Sequence, residues 1–131
     1  MNSSINKKKL GDQIEKLVCT YLRRQKLKFI VRNYQCRLGE IDLIMRDEHV
    51  LVFIEVRYRQ HYHFGSSLES INLHKQRKII KAAEHYLLSK QLTEKIACRF
   101  DVVGVKSTQK LSNISKLDLS QVEWIKNAFS R

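Results

Sequence analysis

The chain has 131 residues, a hydrophobic fraction of 43% and a net charge of +12. This length and composition predict one compact domain over residues 1–131, with residues 1–7 flexible, and no apolar run is long enough to cross a membrane. The 25 Lys and Arg against 13 Asp and Glu favour a polyanionic partner over an ordinary basic surface. Because no apolar segment typical of a signal peptide follows the N-terminus, we expect a cytoplasmic protein.

The three cysteines, Cys19, Cys36 and Cys98, are odd in number and far apart in the sequence. Their spacing fits neither a disulfide framework nor a zinc site. We therefore interpret them as small core residues.

The hydrophobic periodicity predicts helices over residues 8–26, 72–90 and 120–131, the last with Ser120 as N-cap. Strands are expected over 28–36, 40–46, 50–58 and 96–105. Residues 59–70 and 106–116 lack a clear period and are predicted to be loops, with His61 and His63 as loop histidines. Three sequential strands followed by a strand–helix–strand crossover predict a mixed α/β sheet with helices packed on it.

Three acids, Glu40, Asp42 and Glu55, interrupt two strongly apolar strands. Alternation along strand 40–46 places Glu40 and Asp42 on one face, and the other face is purely apolar, with Ile41, Leu43 and Met45. Strand 50–58 divides in the same way, with Val52, Ile54 and Val56 on its apolar face. Matching the apolar faces requires a turn of two or four residues, which pairs Leu43 with Ile54, Ile44 with Phe53, and Asp42 with Glu55.

Two carboxylates about 4 Å apart repel each other by on the order of 4 kcal/mol at an effective dielectric near 20. Protonation of one acid, a bridging cation such as Arg57, or a divalent metal would relieve this repulsion. Carboxylate ligands favour Mg²⁺ or Mn²⁺, and the alternative is a salt-bridged polar face without metal. Glu15 borders the apolar stripe of the first helix, either as a contact to the site or as a partly exposed helix acid.

The two strands resemble the Asp-(x)n-(Asp/Glu)-x-Lys core motif of the PD-(D/E)xK nuclease superfamily, through residues 39–44 (GEIDLI) and 52–57 (VFIEVR). From about residue 8 to 129 the chain is more closely similar to the YraN-type uncharacterised family, which is related to archaeal Holliday-junction resolvases. Further matching pieces are Gly11 with Glu15, Lys75 with Ala82, Ala83 and Leu87, residues 99–103, and residues 123–129.

The resemblance implies a restriction-endonuclease-like fold with a central four-stranded mixed sheet flanked by helices. Asp42 and Glu55 match its two metal-binding acids, and the backbone carbonyl of Val56 would complete a site for Mg²⁺ or Mn²⁺. Glu15 matches the acid often supplied by the first helix, and Glu40 would be a further acid beside the site. Arg57 stands where the superfamily places lysine, and arginine stabilises phosphoryl charge but cannot act as a base.

The implied activity is metal-dependent endonucleolytic cleavage of DNA, including branched or damaged DNA, with a homodimer as the implied assembly. Because of Arg57, the alternative is a nucleic-acid-binding module that keeps the fold, has weak or no catalysis, and acts through a partner. Arg59, Lys75, Arg77 and Lys78 are predicted to contact nucleic-acid phosphates, and the alternative for them is a solvated helix face. Asp101, beside Arg99, is interpreted as a structural ion-pair residue.

Overall fold

A computed structural model of the protein describes residues 3–59, 65–106 and 122–131, with side chains from residue 8 onwards. Several predictions concern residues outside these ranges: His61 and His63, the loop beyond residue 106, and the Ser120 cap. Within the described residues, no helix is both long and apolar enough to span a membrane.

Two helices and five strands make up the described part of the chain, and Leu68–Ser70 forms a short 3₁₀ turn. In chain order they are α1 (Ser3–Arg24), β1 (Lys28–Cys36), β2 (Gly39–Asp47), β3 (Val50–Arg59), α2 (Leu73–Ser89), β4 (Ala97–Lys106) and β5 (Val122–Phe129). The strands form one sheet in the order β1-β2-β3-β4-β5, in which only β3 and β4 run parallel. The predicted α/β class and mixed sheet are confirmed, and α1 begins five residues earlier than predicted.

The predicted register between β2 and β3 is also confirmed. Leu43 pairs with Ile54, and Ile44 pairs with Phe53. Asp47 pairs with Val50, so the connection is a two-residue turn that keeps the apolar faces of both strands aligned.

The two helices cover opposite faces of the sheet. The α1 side of the core contains Ile14, Val18, Leu22, Leu43, Met45, Val52, Ile54 and Val103. The α2 side contains Ile44, Leu51, Phe53, Ile79, Ala83, Tyr86, Leu87, Phe100 and Val102. All three cysteines are free thiols, but only Cys19 is buried, so the core interpretation holds fully for that residue alone.

One residue of β2 lies on the face opposite to the predicted one. Ile41 packs in the α2 cluster, whereas Leu43 packs in the α1 cluster. Since alternation places residues two apart on one face, the strand must rotate between them. The partner strand changes side at the same place, because Arg32 pairs with Leu43, Tyr34 pairs with Ile41, and Asn33 between them has a φ of 58°.

The predicted C-terminal helix is wrong, and so is the four-stranded sheet, because Val122–Phe129 forms β5 antiparallel to β4. Trp124 packs on the α1 side of the sheet, while Ile125 and Phe129 pack on the α2 side. Asn127 adopts a φ of 52° and interrupts the regular alternation of the strand. The apolar residues therefore lack a period of two, and their spacing also suits a helix. Long-range pairing with β4, which local periodicity does not encode, decides the outcome.

Candidate active site

Asp42 lies where β2 rotates, between Leu43 on the α1 side and Ile41 on the α2 side. Its side chain points sideways toward β3, and its Oδ2 accepts a hydrogen bond of 2.8 Å from the N–H of Val56. The paired register between the two strands ends one residue earlier, at Leu43 and Ile54. In a strand the N–H and C=O of one residue point to the same neighbour, so the Val56 carbonyl also faces β2 beside Asp42.

Glu55 follows Ile54, the last residue of β3 that pairs with β2, and is only 5% exposed. Burial and, second, the charge of Asp42 raise the pKa of Glu55 to about 8, and the charges of Lys75 and Arg57 oppose this rise. Burial also raises the pKa of Asp42, which is opposed by hydrogen bonds from the Val56 N–H and the Glu55 side chain. Asp42 and Glu55 are therefore close neighbours with raised pKa values, and the charge of Asp42 favours the protonated form of Glu55.

Two further acids lie beside this pair. Burial, with a second contribution from the charge of Asp42, raises the pKa of half-buried Glu15 to about 7. Glu40 is exposed, accepts a 3.5 Å hydrogen bond from Gln35 Nε2, and raises the pKa values of the other acids by its charge. The sheet and α1 thus bring all four predicted acids to one end of β2, with Glu40 at the solvent side.

Two cations approach Glu55 at ion-pair distance. Lys75 Nζ lies 3.8 Å from Glu55 Oε1, and Arg57 Nη1 lies 4.0 Å from the same oxygen. Arg57 is also held by Ser70, because its Nε donates to the Ser70 Oγ at 3.0 Å and its Nη2 donates to the Ser70 carbonyl at 3.3 Å. Ser70 Oγ in turn donates to the Ser67 carbonyl at 2.6 Å, so Arg57 fastens the 3₁₀ turn to the end of β3.

Lys75 reaches the acids from the first turn of α2. The side chain of Asn72 caps this helix by accepting a 2.8 Å hydrogen bond from the Lys75 N–H. Among the described residues, the Lys75 ammonium has Glu55 as its only ion-pair partner. The sequence predicts a phosphate contact for Lys75 and no role for Ser70. Residues 59–70 show no periodicity that would indicate the position of Ser70 beside Arg57.

The other predicted phosphate contacts fall into two groups. Arg59 Nη1 donates to the Ser66 carbonyl at 3.1 Å, so it anchors the segment after β3. Arg77 and Lys78 are exposed on α2, and Lys78 borders an open pocket of about 490 Å³ that also includes Lys75, Glu40 and Arg37. The basic side of α2 therefore adjoins the acids, whereas Arg59 does not line this pocket.

Gly39 allows β2 to start directly against α2. A Cβ at this position would lie 2.8 Å from the carbonyl oxygen of Lys78, and the φ of Gly39 is 157°. A larger residue would push the start of β2, with Glu40 and Asp42, away from the helix that carries Lys75.

The donor set suits a hard divalent cation rather than zinc. Among the side chains that the structure describes, no three from His, Cys, Asp and Glu form a group able to hold a metal ion. Mg²⁺ is commonly held by one or two carboxylates, with water completing its coordination shell. Here Asp42, Glu55 and the Val56 carbonyl would provide the protein ligands. The raised pKa values of the two neighbouring acids indicate that their ionised forms lack sufficient positive charge nearby.

A profile of the uncharacterised protein family UPF0102 matches residues 14–105, which include every acid of the site and Lys75. A UPF0102 protein from Nitrosococcus oceani is 47% identical over 119 residues, covering 91% of this chain and 90% of that protein. Relatives from Coxiella burnetii and Legionella pneumophila are 45% identical over 120 residues and 42% identical over 119 residues. These matches cover 92% and 91% of this chain, and 91% and 92% of the two relatives. The chain therefore belongs to the uncharacterised protein family UPF0102.

Proposed function

We propose that this protein is a metal-dependent, endonuclease-like hydrolase that acts on DNA phosphodiesters, with Asp42 and Glu55 as its central acids. One observation carries the proposal: buried Glu55 and half-buried Asp42 lie side by side, and among the described residues the cations nearest to Glu55 lie 3.8 and 4.0 Å away. A buried glutamate whose pKa is raised to about 8 beside a second acid indicates a site that gains stability when a cation arrives.

Asp42, Glu55 and the Val56 carbonyl would hold Mg²⁺ or Mn²⁺. When bound, the cation would supply Lewis-acid stabilisation of phosphoryl charge and lower the pKa of water. The fold contributes rigidity, because the Val56 N–H fixes Asp42 from the β3 side. Glu15, with a pKa near 7, can hold or release a proton beside this site at neutral pH.

Lys75 is the side chain that we assign to the phosphate undergoing cleavage. Arg57 occupies the position where the nuclease motif has its lysine, and its guanidinium donates two hydrogen bonds to Ser70. Lys75 Nζ is as near to Glu55 as Arg57 is and has no such commitment among the described residues. It can therefore turn toward a phosphate oxygen and stabilise its charge, while Arg57 keeps the neighbouring turn in place.

DNA as the substrate class is supported by charge. The chain carries +12, and exposed Lys78 lies one helical turn beyond Lys75 on α2, with exposed Arg77 next to it in sequence. Lys75 and Lys78 together suit the phosphates of a strand whose neighbouring phosphodiester lies at the acids. Branched or damaged DNA stays part of the proposal, because a small open site at one end of a sheet accepts an exposed strand most easily.

A second candidate function is supported by Arg57 itself. If cleavage requires the amine of a lysine at position 57, the arginine at this position cannot replace it. The protein would then be a DNA-binding module without efficient catalysis. This candidate predicts salt-dependent DNA binding, no metal-dependent cleavage, and activity only through a partner protein.

The test compares wild type with Asp42→Ala, and with Glu84→Ala as a matched control in which an exposed acid of α2 is removed. Linear, flapped, single-stranded and four-way-junction DNA are incubated with Mg²⁺, Mn²⁺ or a chelator. We expect Asp42→Ala to lose at least about a hundredfold in cleavage, since even residues that only support metal ligands cost about 10- to 100-fold. DNA binding should stay within a few-fold, and Glu84→Ala should behave as wild type.

Equal cleavage by Asp42→Ala and wild type would remove these acids from catalysis. Wild type that binds DNA and takes up Mn²⁺ in calorimetry, yet cleaves none of the substrates, would leave the binding module as the function.

A further inference from the structure

A second pocket, of about 250 Å³, lies on the α1 side of the sheet and is lined by Lys16, Cys19, Thr20, Arg23, Phe29 and Arg32. Lys16, Thr20 and Arg23 come from one face of α1, because residues spaced by three, four or seven positions align along a helix. Phe29 and Arg32 come from β1. None of these residues belongs to the acid pair or to the α2 cations.

A bulge in β1 brings Phe29 and Arg32 to the same side. The pairing of β1 with β2 shifts between Phe29 and Val31, so that Phe29 pairs with Met45 and Arg32 pairs with Leu43. Both partners face α1. Without the extra residue, positions 29 and 32 would lie on opposite faces, and the pocket would lose one wall.

The Arg32 guanidinium has no carboxylate at ion-pair distance among the described residues. Its Nη1 is buried and has no hydrogen-bond partner among the described residues, although the charge of Arg32 also acts on Glu15 and lowers its pKa. Among the described residues, neither Arg32, Lys16 nor Arg23 forms an ion pair with a carboxylate within 4.0 Å. A buried guanidinium nitrogen without a partner is costly, and such an atom in a native fold usually marks an absent water or ion.

Phe29 adds an apolar wall to this basic pocket. Its side chain is 39% exposed, which is unusual for a phenylalanine in a strand. The guanidinium of Arg23 lies 5.2 Å from the ring centroid, so the ring is held in place beside the cations. A phosphate next to an accessible aromatic ring is the chemistry of a nucleotide in a single strand.

We propose that this pocket binds a phosphodiester group of a nucleic-acid strand, with Arg32 as its central ligand, Lys16 and Arg23 as supporting cations, and Phe29 as the contact for the adjoining base. The inference rests on the nucleic-acid partner of the proposed function and is independent of cleavage. Arg32 pairs with Leu43, the neighbour of Asp42, so a strand held here approaches the acids from the α1 side. Lys75 approaches them from α2, and the substrate would therefore pass across this end of the sheet between the two helices.

The test measures binding of a short single-stranded oligodeoxynucleotide in chelator, so that no cleavage occurs. Arg32→Gln is compared with Lys95→Gln, which removes one exposed positive charge from the turn between α2 and β4. We expect Arg32→Gln to weaken binding about tenfold or more and to lower the slope of log affinity against log salt by about one. Lys95→Gln should change neither quantity appreciably. Lys16→Gln, an exposed position on the same pocket, gives a smaller loss and guards against a folding defect in Arg32→Gln.

Two further arms decide the class of ligand. Phe29→Ala should weaken oligonucleotide binding, and at equal concentration an oligonucleotide should raise the thermal unfolding temperature of wild type by more than that of Arg32→Gln. Inorganic phosphate that matches the oligonucleotide in affinity, with no effect of Phe29→Ala, would overturn the nucleic-acid assignment. Equal binding by Arg32→Gln and Lys95→Gln would overturn the pocket itself. Asp42→Ala separates this inference from the proposed function, since it should abolish cleavage and leave the Arg32-dependent binding intact.

Discussion

The sheet buries acids in two places, and their surroundings differ in one respect. Asp101 on β4 is fully buried and receives hydrogen bonds from Arg99 Nε at 3.0 and 3.2 Å, Trp124 Nε1 at 3.0 Å and the Asn127 N–H at 2.9 Å. Glu55 is buried and Asp42 is half-buried beside β3; among the described residues, Asp42 has one backbone donor, the Val56 N–H, and the cations nearest to Glu55 lie at 3.8 and 4.0 Å.

This difference separates structural acids from candidate functional ones. The donors around Asp101 tie the end of β5 to β4, and Arg99 also holds Asp47 of β2 at 3.0 Å, so the charge is used inside the fold. Burial raises the pKa values of Asp42 and Glu55, and the Val56 N–H, Lys75 and Arg57 oppose this effect only in part. Burial of an acid therefore carries little information alone, whereas burial with missing donors points to a ligand.

The largest expected effect is on stability, at the network around Asp101. Asp101→Asn should lower the free energy of unfolding by about 3 kcal/mol, because it removes one of the two carboxylates that hold half-buried Arg99. Urea unfolding followed by the fluorescence of Trp124, the single tryptophan, and by circular dichroism measures this loss. DNA binding by the folded fraction should be unaffected, whereas Asp42→Asn should not destabilise the protein. A variant of Asp101 that keeps its stability but loses DNA binding would reverse the assignment of the two regions.

The second expected effect is the pH dependence of stability, at the incomplete site. The pKa of Glu55 rises from an ordinary 4.5 to about 8 on folding, so the folded state holds an extra proton between these values. The stability from this group is therefore complete below about pH 4.5 and is lost as the pH rises toward 8. Glu55→Gln should abolish most of this slope and be more stable than wild type at pH 8 by on the order of 3 kcal/mol.

Chemical unfolding in chelator at a series of pH values tests this expectation, because a bound cation would favour the ionised acids. Glu15, whose pKa rises to about 7, should leave a smaller slope between about pH 4.5 and 7 in the variant. A Glu55→Gln protein that is less stable than wild type at pH 8 would mean that the site is already complete without metal, like that of Asp101.

Much of this arrangement could be predicted because it depends on local pattern. Strand periodicity and the matching of apolar faces are sufficient to predict that Leu43 pairs with Ile54. This pairing in turn predicts that Asp42 and Glu55 are neighbours. The interpretation of Asp101 as an ion-pair residue with Arg99 is likewise confirmed.

The features that escaped prediction depend on irregular backbone and long-range contacts. The left-handed conformations at Asn33 and Asn127 and the bulge beside Phe29 change which face a side chain occupies, and asparagine gives only a weak signal for such a conformation. For this reason Ile41 and β5 were misplaced, and the pocket around Arg32 could not be recognised. The contacts of Arg57 with Ser70 and of Lys75 with Glu55 join segments whose relative position only the fold determines.

The smallest expected effect concerns the two cations at the incomplete site, which repeat the same contrast. Arg57 is hydrogen-bonded to Ser70, as Arg99 is to Asp101 and Asp47, whereas among the described residues the ion-pair contact of Lys75 is the one with Glu55 at 3.8 Å. Lys75→Met should therefore reduce cleavage on the order of thirtyfold, about 2 kcal/mol, because one stabilising donor to the phosphate is lost. It should also tighten Mn²⁺ binding in calorimetry, since the ammonium no longer competes for Glu55.

Arg57→Lys is the matched variant, because it keeps the charge but loses the two-point contact with Ser70. We expect Arg57→Lys to lower the thermal unfolding temperature while cleavage stays within a few-fold of wild type. Lys75→Met should instead reduce cleavage without lowering the thermal unfolding temperature. If Arg57→Lys instead raises cleavage strongly and Lys75→Met has no effect on cleavage or on Mn²⁺ affinity, the reacting phosphate belongs to position 57. Lys75 would then only neutralise Glu55, and the arginine at position 57 would itself limit catalysis.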